Sequence, residues 1–278
     1  MKNRIFRLLE KIANRLLSKK VREKIEFDVI NEMEKRRLRH DNPVGRAGRK
    51  IFSQSDEDGI IDEIMTRIGI HQGTFVEFGV GNGSECNSLA LLASGWQGVW
   101  IGGQKLIFSP EPGGRLTFLH RWVTLDNVLE NYRAALKALR VPDVDLLSID
   151  LDGNDIYFLD KILAHGSRPK CIVVEINAKF PPPIRFKVDY DPNHQWLQDD
   201  YYGASISCFN DLLVENGYKC VCVNPWSGVN AFFIRTDFAD KFGDVPVELC
   251  DLYVEPRLIF VANYGHKVSP KTLNRLTR

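Results

Sequence analysis

Glu77-Phe78-Gly79-Val80-Gly81-Asn82-Gly83 closes a short apolar run, Thr74 to Phe78, and precedes a helical stretch from Ser88 to Ala93. A strand that runs into glycines at every second position and then into a helix predicts the turn of a first β-α unit. Glycine lets such a turn bend tightly and lets the backbone approach a ligand closely. The spacing is not the G-x-G-x-x-G of a dinucleotide fingerprint: counted from Gly79 the third glycine position is Ser84, and counting from Gly81 fails as well. What stands here is an acid-x-G-x-G-x-G run opening on Glu77.

Outward from this turn the chain alternates strands and helices. Gly98 to Ile101 reads as a second strand, Trp122 to Leu125 as a third, Asp145 to Leu151 as a fourth and Cys171 to Ile176 as a fifth. Helices are expected over Asn127 to Leu139, Tyr157 to Ala164 and Ser205 to Asn216, the last closed by Gly217 as a C-cap. Tyr218 to Val223 and Asn230 to Arg235, joined by Pro225-Trp226-Ser227-Gly228, read as an antiparallel pair. Alternating β and α elements imply a mainly parallel α/β sheet with helices on both faces.

Five such units followed by an antiparallel pair resemble the seven-stranded, Rossmann-like sheet of class I methyltransferases, and the run from Glu77 resembles their motif I. In that family the glycines wrap the amino-acid part of S-adenosylmethionine. Three further segments narrow the likeness: Ser53-Gln54-Ser55-Asp56-Glu57-Asp58, Gly95-Trp96-Gln97-Gly98-Val99-Trp100-Ile101 and Ser148-Ile149-Asp150-Leu151-Asp152-Gly153-Asn154-Asp155. Together they look like the FkbM-type methyltransferases, a branch acting mainly on hydroxyls of sugars and natural products. The resemblance runs from about Phe52 to Arg235. It implies that Gln54, Asp58, Glu77, Gly79, Gly81 and Asn87 line the cofactor pocket, with Gly83 completing the glycine loop. One position departs from the family's pattern. Its second strand normally ends in an acid that holds the cofactor's ribose hydroxyls, and here Gly102-Gly103-Gln104 stand at that end. Gln104 can accept one bond. A lost charge-assisted bond costs about 1.5–3 kcal/mol, which implies weakened cofactor binding, a changed cofactor or an inactive site.

In open α/β sheets ligands sit beyond the carboxyl ends of the strands. Asp150, Asp152 and Asp155 fall at one such end, and Glu175 and Asn177 at the next. Crowded carboxylates repel unless a cation, a proton or hydrogen bonds offset the charge. Two roles follow: Asp152 or Asp155 as a general base for a substrate hydroxyl, or Asp150, Asp152 and Asp155 as ligands of Mg²⁺, with Asp150 also bordering the cofactor. The bland alternative is that Asp150 and Asp155 cap the following helix. The aromatic, acidic stretch from Phe180 to Gly203 reads as a substrate lid suited to a sugar ring, and its His194 is a further base candidate.

The chain has 278 residues, 44% hydrophobic and 26% charged, with a formal net charge of +1. That size suits one α/β domain with an appendage. The charge gives no case for nucleic acid, and no apolar run is long enough to span a membrane. The six cysteines form no metal-binding or C-x-x-C pattern and are expected to be reduced, as in a cytoplasmic enzyme. Residues 1–49 are set apart from the domain at 50–278. Ile5, Leu8, Leu9, Ile12, Leu16 and Leu17 recur at helical spacing beside Lys and Arg, and a polar helix follows through about Arg39. This segment is expected to pack on the domain, join a second subunit, dock elsewhere or lie on an anionic membrane surface. The leading expectation is O-methylation of a sugar, glycan intermediate or related polar metabolite. Its rivals are a scaffold that has kept the fold but not the chemistry, and a metal-dependent glycosyltransferase using Asp150 and Asp152.

Overall fold

The computed structural model describes residues 19–256, in two compact units that divide after Arg39. In the first, α1 spans Lys19–Leu38, where the polar helix was expected. Lys35, Arg36 and Arg37 occupy its last turn, at the negative end of the helix dipole, and Arg37 pairs with Glu34 at 2.7 Å. The amphipathic helix expected over Ile5 to Leu17 lies outside the described residues. No described helix is long and apolar enough to cross a membrane.

The second unit takes in residues 40–49 as well. Asn42 caps the short α2 (Pro43–Arg46) by accepting from the Val44 N–H at 2.9 Å, and its Nδ2 donates to the Val221 carbonyl at 2.7 Å. There follow α3 (Glu57–Arg67), β1 (Thr74–Phe78), α4 (Leu89–Ala93), β2 (Gln97–Gly102), β3 (Leu116–His120), α5 (Val128–Leu139), β4 (Leu146–Ile149), α6 (Asp155–Ala164), β5 (Cys171–Glu175), α7 (Ile206–Glu215), β6 (Tyr218–Val223), β7 (Asn230–Arg235), a 3-10 helix (Thr236–Phe242) and α8 (Leu249–Leu252). The strands form one sheet in the order β3-β2-β1-β4-β5-β7-β6. β7 runs antiparallel to both neighbours, and the pairings from β3 to β5 are parallel. This is the Rossmann-like, mostly parallel seven-stranded sheet with a final antiparallel pair that was expected from the sequence.

Side chains alternate along each strand, so the apolar runs feed two cores. Phe75, Leu146, Cys171, Val173, Phe232 and Ile234 meet Ile60, Ile61 and Ile64 of α3 on one face. Val76, Phe78, Leu147, Ile149, Ile172 and Val174 meet α5, α6 and α7 on the other. Large side chains fully buried this way, Trp100 and Phe233 among them, contribute roughly 1.5–3 kcal/mol each.

One element differs from the expectation, and the helix α3 is added to it. The third strand is Leu116–His120, paired with β2 from Gly98↔Leu116 onward, and not Trp122 to Leu125. Leu116 and Phe118 pack against the α3 side of the sheet, whereas Trp122 is half-exposed and its indole N–H donates to the Pro192 carbonyl at 3.0 Å. The helix α3 begins within the acidic triplet Asp56-Glu57-Asp58, and all three of those side chains are buried.

Candidate active site

The sheet face that packs on α3 turns polar at the carboxyl ends of its strands. Keeping the period of two, Glu77 follows Phe75, Ser148 and Asp150 follow Leu146, Glu175 follows Val173, and Asn230 precedes Phe232. Asp150 and Glu175 lie one step beyond the paired residues Ile149 and Val174, and Glu175 opposes Asn230 directly. Beyond these strand ends lies a cavity of about 690 Å³, lined on one side by Gly79, Gly81, Gly102 and Gln104 and on the other by Asp150, Asp152 and Asn230.

The glycine loop explains itself sterically. Gly79 has φ +85°, and a Cβ there would stand 1.5 Å from the Asp150 carbonyl oxygen, so only glycine lets β1 pass the end of β4. Gly81, at φ +50°, has nothing within 4 Å of a Cβ and borders the cavity. Gly83 was expected among the cofactor residues but does not line the cavity. Its Cβ would press on Leu106, Trp100 and Phe108, so it shapes the apolar back of the loop. Glu77 ties the loop to α4: it accepts from the Asn87 N–H at 2.8 Å, the Ser88 N–H at 3.0 Å and the Ser88 hydroxyl. Burial lifts its carboxyl above the ordinary range, and these three bonds pull it back. Asn87, also in the wall, donates through Nδ2 to the Ser148 hydroxyl at 3.2 Å.

Gln54 and Gln104 line the cavity, and Asp58 does not. The Asp58 Oδ2 accepts from the N–H groups of Ile51, Phe52 and Ser53 and from the Ser53 hydroxyl, at 2.7 to 2.9 Å. It folds the loop that presents Gln54, because a carboxylate surrounded by backbone donors is a rigid anchor. At the end of β2, a Cβ on Gly102 would meet only Val80, at 3.3 Å, so a side chain there would fit. On Gly103 it would meet the Trp122 ring at 3.0 Å. The indole of Trp122 thereby becomes part of the wall.

The turn after β4 separates three acids that the sequence presents as one cluster. Asp155 accepts from the Leu151 N–H at 2.6 Å and the Gly153 N–H at 2.9 Å, is buried and does not line the cavity. Each oxygen accepts a backbone N–H and the residue stands apart from the cavity wall and the group Asp150, Asp152 and Glu175, away from its expected roles as base and metal ligand: it secures the entry to α6. Burial pushes its carboxyl up to about 6 despite those bonds. Asp152 adopts φ +59°, a left-handed conformation that aspartate tolerates better than most residues, and so reaches the cavity. Burial raises its carboxyl, and the His194 charge lowers it. Single ligand atoms of Asp150, Asp152 and Glu175 all lie within 4.8 Å of one another. Glu175 therefore takes the place expected for Asp155. Burial, and then the charges of their acidic neighbours, push Asp150 and Glu175 well above the carboxylate range.

His194 packs over Gly153, where a Cβ would stand 2.2 Å from its ring; its Nε2 is buried without a partner and the residue lines the cavity. The stretch from Phe180 to Gly203 that carries it is ordered by its own contacts. Phe180 stacks on Phe186 at 4.0 Å, Asn177 Nδ2 holds the carbonyls of Asp200 and Tyr202 at 2.9 Å, and Asn154 Nδ2 donates to the Asp191 carbonyl at 2.8 Å. Asn177 thus anchors this stretch to the end of β5. Sequence reasoning missed Trp122 as a wall residue, and also Asn230 and Glu57. The signal available for Asn230 was a single amide opening the otherwise apolar run Ala231-Phe232-Phe233-Ile234.

No family model matches the sequence, and no curated protein matches it. Among solved structures the chain is similar to a fibrillarin/Nop5p complex, at 14% identity and TM-score 0.35 over 58% of this chain and 70% of that one. It is also similar to CalO1, a methyltransferase in calicheamicin biosynthesis in its SAH-bound form (15% identity, TM-score 0.34, 72% of this chain and 54% of that one). A third is MycE, a methyltransferase of the mycinamycin pathway in complex with Mg, SAH and mycinamycin VI (13%, 0.33, 66% and 53%). The chain thus spans little more than half the length of the last two. At these identities and scores none of them carries an activity over to this chain.

Proposed function

We propose that the chain transfers a methyl group from S-adenosylmethionine to a hydroxyl of a sugar, glycan intermediate or related polar metabolite. The observation that carries this reading is the meeting, in one cavity, of the glycines of the first β-α turn with Asp150 and Asp152 at the end of β4, where open α/β sheets bind ligands. When bound, S-adenosylmethionine supplies an electrophilic methyl group on a sulfonium. The chain's own part is positioning and proton removal. Gly79 and Gly81 leave the backbone bare for close approach, and Glu77, held by Asn87 and Ser88, fixes the turn. Asp152, beside His194, takes the proton of the acceptor hydroxyl as the new C–O bond forms and the methyl leaves sulfur. Partial desolvation raises its carboxyl above the ordinary aspartate value, the direction that makes it a stronger base. His194 and Trp196 extend the wall over the acceptor.

Mg²⁺ fits the donor set Asp150, Asp152 and Glu175. These are hard oxygen ligands in mutual reach, their repulsion is relieved by a positive charge, and Glu175 keeps a buried oxygen, Oε2, with no hydrogen-bond partner. There the cation would lower the pKa of an acceptor hydroxyl. A second reading, a non-catalytic binding protein, is favoured by one observation: Gly102 leaves no carboxylate for the ribose. Labelled methyl transfer from S-adenosylmethionine to a panel of sugars tests the proposal. Transfer that is lost in Asp152→Asn supports it, and a folded chain that neither binds the cofactor nor transfers its methyl group favours the second reading.

A further inference from the structure

We propose that Asn230 is a carbonyl ligand that completes a divalent-cation site with Asp150, Asp152 and Glu175, and that Glu57 fixes its orientation. The inference rests on the cation reading of that acidic cluster. Asn230 opens β7 and is the antiparallel register partner of Glu175, so the two side chains leave the same face of the sheet side by side. It is 3% exposed and borders the cavity together with Asp150 and Asp152. Its Nδ2 donates to Glu57 Oε1 at 2.9 Å, and its backbone N–H donates to Asn224 Oδ1 at 2.9 Å. Its Oδ1, also buried, has no partner.

The orientation of this amide is enforced. Turning it over would set Oδ1 against the Glu57 carboxylate, acceptor against acceptor in a buried place. Glu57 cannot swing away, because it is itself buried and accepts from the Ser55 N–H at 2.7 Å, the Ser55 hydroxyl at 2.8 Å and Asn224 Nδ2 at 3.1 Å. Two acidic residues from different parts of the chain therefore meet the amide in different ways: Glu57 takes its N–H and Glu175 stands beside it with its own orphaned Oε2. No lysine or arginine lines the cavity among the described residues. A bound cation would offset the crowded negative charge, and carboxylate oxygens with one amide carbonyl are the donor mixture that hard divalent cations take. Glu57 touches no ligand in this arrangement and is a positioning residue.

Titration of the full chain with Mn²⁺, followed by the loss of the free-ion electron paramagnetic resonance signal, tests this. The wild type binds one ion. Asn230→Leu, close in volume but lacking the carbonyl, binds at least tenfold more weakly. Glu57→Gln weakens binding by a similar factor, because the introduced amide can donate to Oδ1 and turn it from the site. Thermal unfolding without metal shows whether each variant is folded, so a variant that fails to fold is not counted and the other decides. Folded variants that bind Mn²⁺ like the wild type overturn the inference and leave the cation reading standing. A wild type that binds neither Mn²⁺ nor Mg²⁺ removes the cation reading, and the inference with it.

Discussion

Replacing Gly79 and Gly81 by alanine, one at a time, separates what the glycine loop does for the fold from what it does for a ligand. At position 79 the added methyl stands 1.5 Å from the Asp150 carbonyl oxygen, far inside a carbon–oxygen contact of about 3.3 Å. The backbone at the end of β4 has to move, and φ +85° adds the left-handed cost of about 1–2 kcal/mol. Together these place Gly79→Ala at about 4 kcal/mol or more, in the tail that single substitutions reach only through a named steric cause. At position 81 no atom lies within 4 Å of the methyl. The left-handed cost of about 1–2 kcal/mol is partly offset by about 0.4–1 kcal/mol from the stiffer unfolded chain, leaving a loss of about 1 kcal/mol. That methyl borders the cavity, and crowding there costs a ligand about 1–3 kcal/mol, roughly tenfold in affinity or more. Urea unfolding and calorimetry with S-adenosylhomocysteine read the two effects. A large fall in the urea midpoint is expected for Gly79→Ala, and a nearly unchanged midpoint with weakened binding for Gly81→Ala. A Gly81→Ala protein that binds as tightly as the wild type, or a Gly79→Ala protein as stable as the wild type, would refute the reasoning.

Other outcomes follow from the same geometry. Asp56, lifted to about 7 by burial and by the charge of Glu57, and Asp155, lifted to about 6 by burial, keep protons in the folded chain that the unfolded chain loses near pH 4. Their contribution is complete below that pH and declines as pH rises through 6 and 7. The urea-extrapolated stability should therefore be greater at pH 5 than at pH 8, by about 4 kcal/mol, and a flat profile would contradict this. Asp155→Asn sets an amide N–H against the Leu151 or Gly153 N–H and should lower stability by about 1–3 kcal/mol, measured by thermal unfolding. Gly102→Asp fits beside Val80 and supplies the missing ribose partner. Calorimetry should show S-adenosylhomocysteine binding tenfold tighter or better, at about 1.5–3 kcal/mol per charge-assisted bond, and unchanged affinity would place the ribose elsewhere.

Most of the fold is legible in the sequence because most strands are buried on both faces. Runs such as Leu146-Leu147-Ser148-Ile149 and Cys171-Ile172-Val173-Val174 have no other stable place. The third strand is not legible in that way. Leu116-Thr117-Phe118-Leu119-His120 lies at the sheet edge with mixed polarity, while Trp122-Val123 nearby is more apolar but serves the cavity wall. The triplet Asp56-Glu57-Asp58 sets three acids in a row, yet it is buried, because the neighbouring Ser53 and Ser55 and the distant Asn224 and Asn230 bring donors to it. The same limit applies in the site. Period and spacing place Gly79, Asp150 and Asp152 at the cavity, but the sequence cannot show that Asp155 turns back onto its own loop or that Asn230 crosses over from β7. Those assignments depend on which backbone N–H each oxygen meets and on an antiparallel pairing that brings residues 175 and 230 together.

Calorimetric titration of the wild-type chain with S-adenosylhomocysteine, with and without Mg²⁺, tests the central claim most directly. The account predicts a single site per chain with micromolar affinity, weakened roughly tenfold or more when Gly81 is replaced by alanine. The absence of binding heat in both conditions from a folded protein would contradict it and show that the cavity between the glycine loop and the β4 acids takes some other ligand.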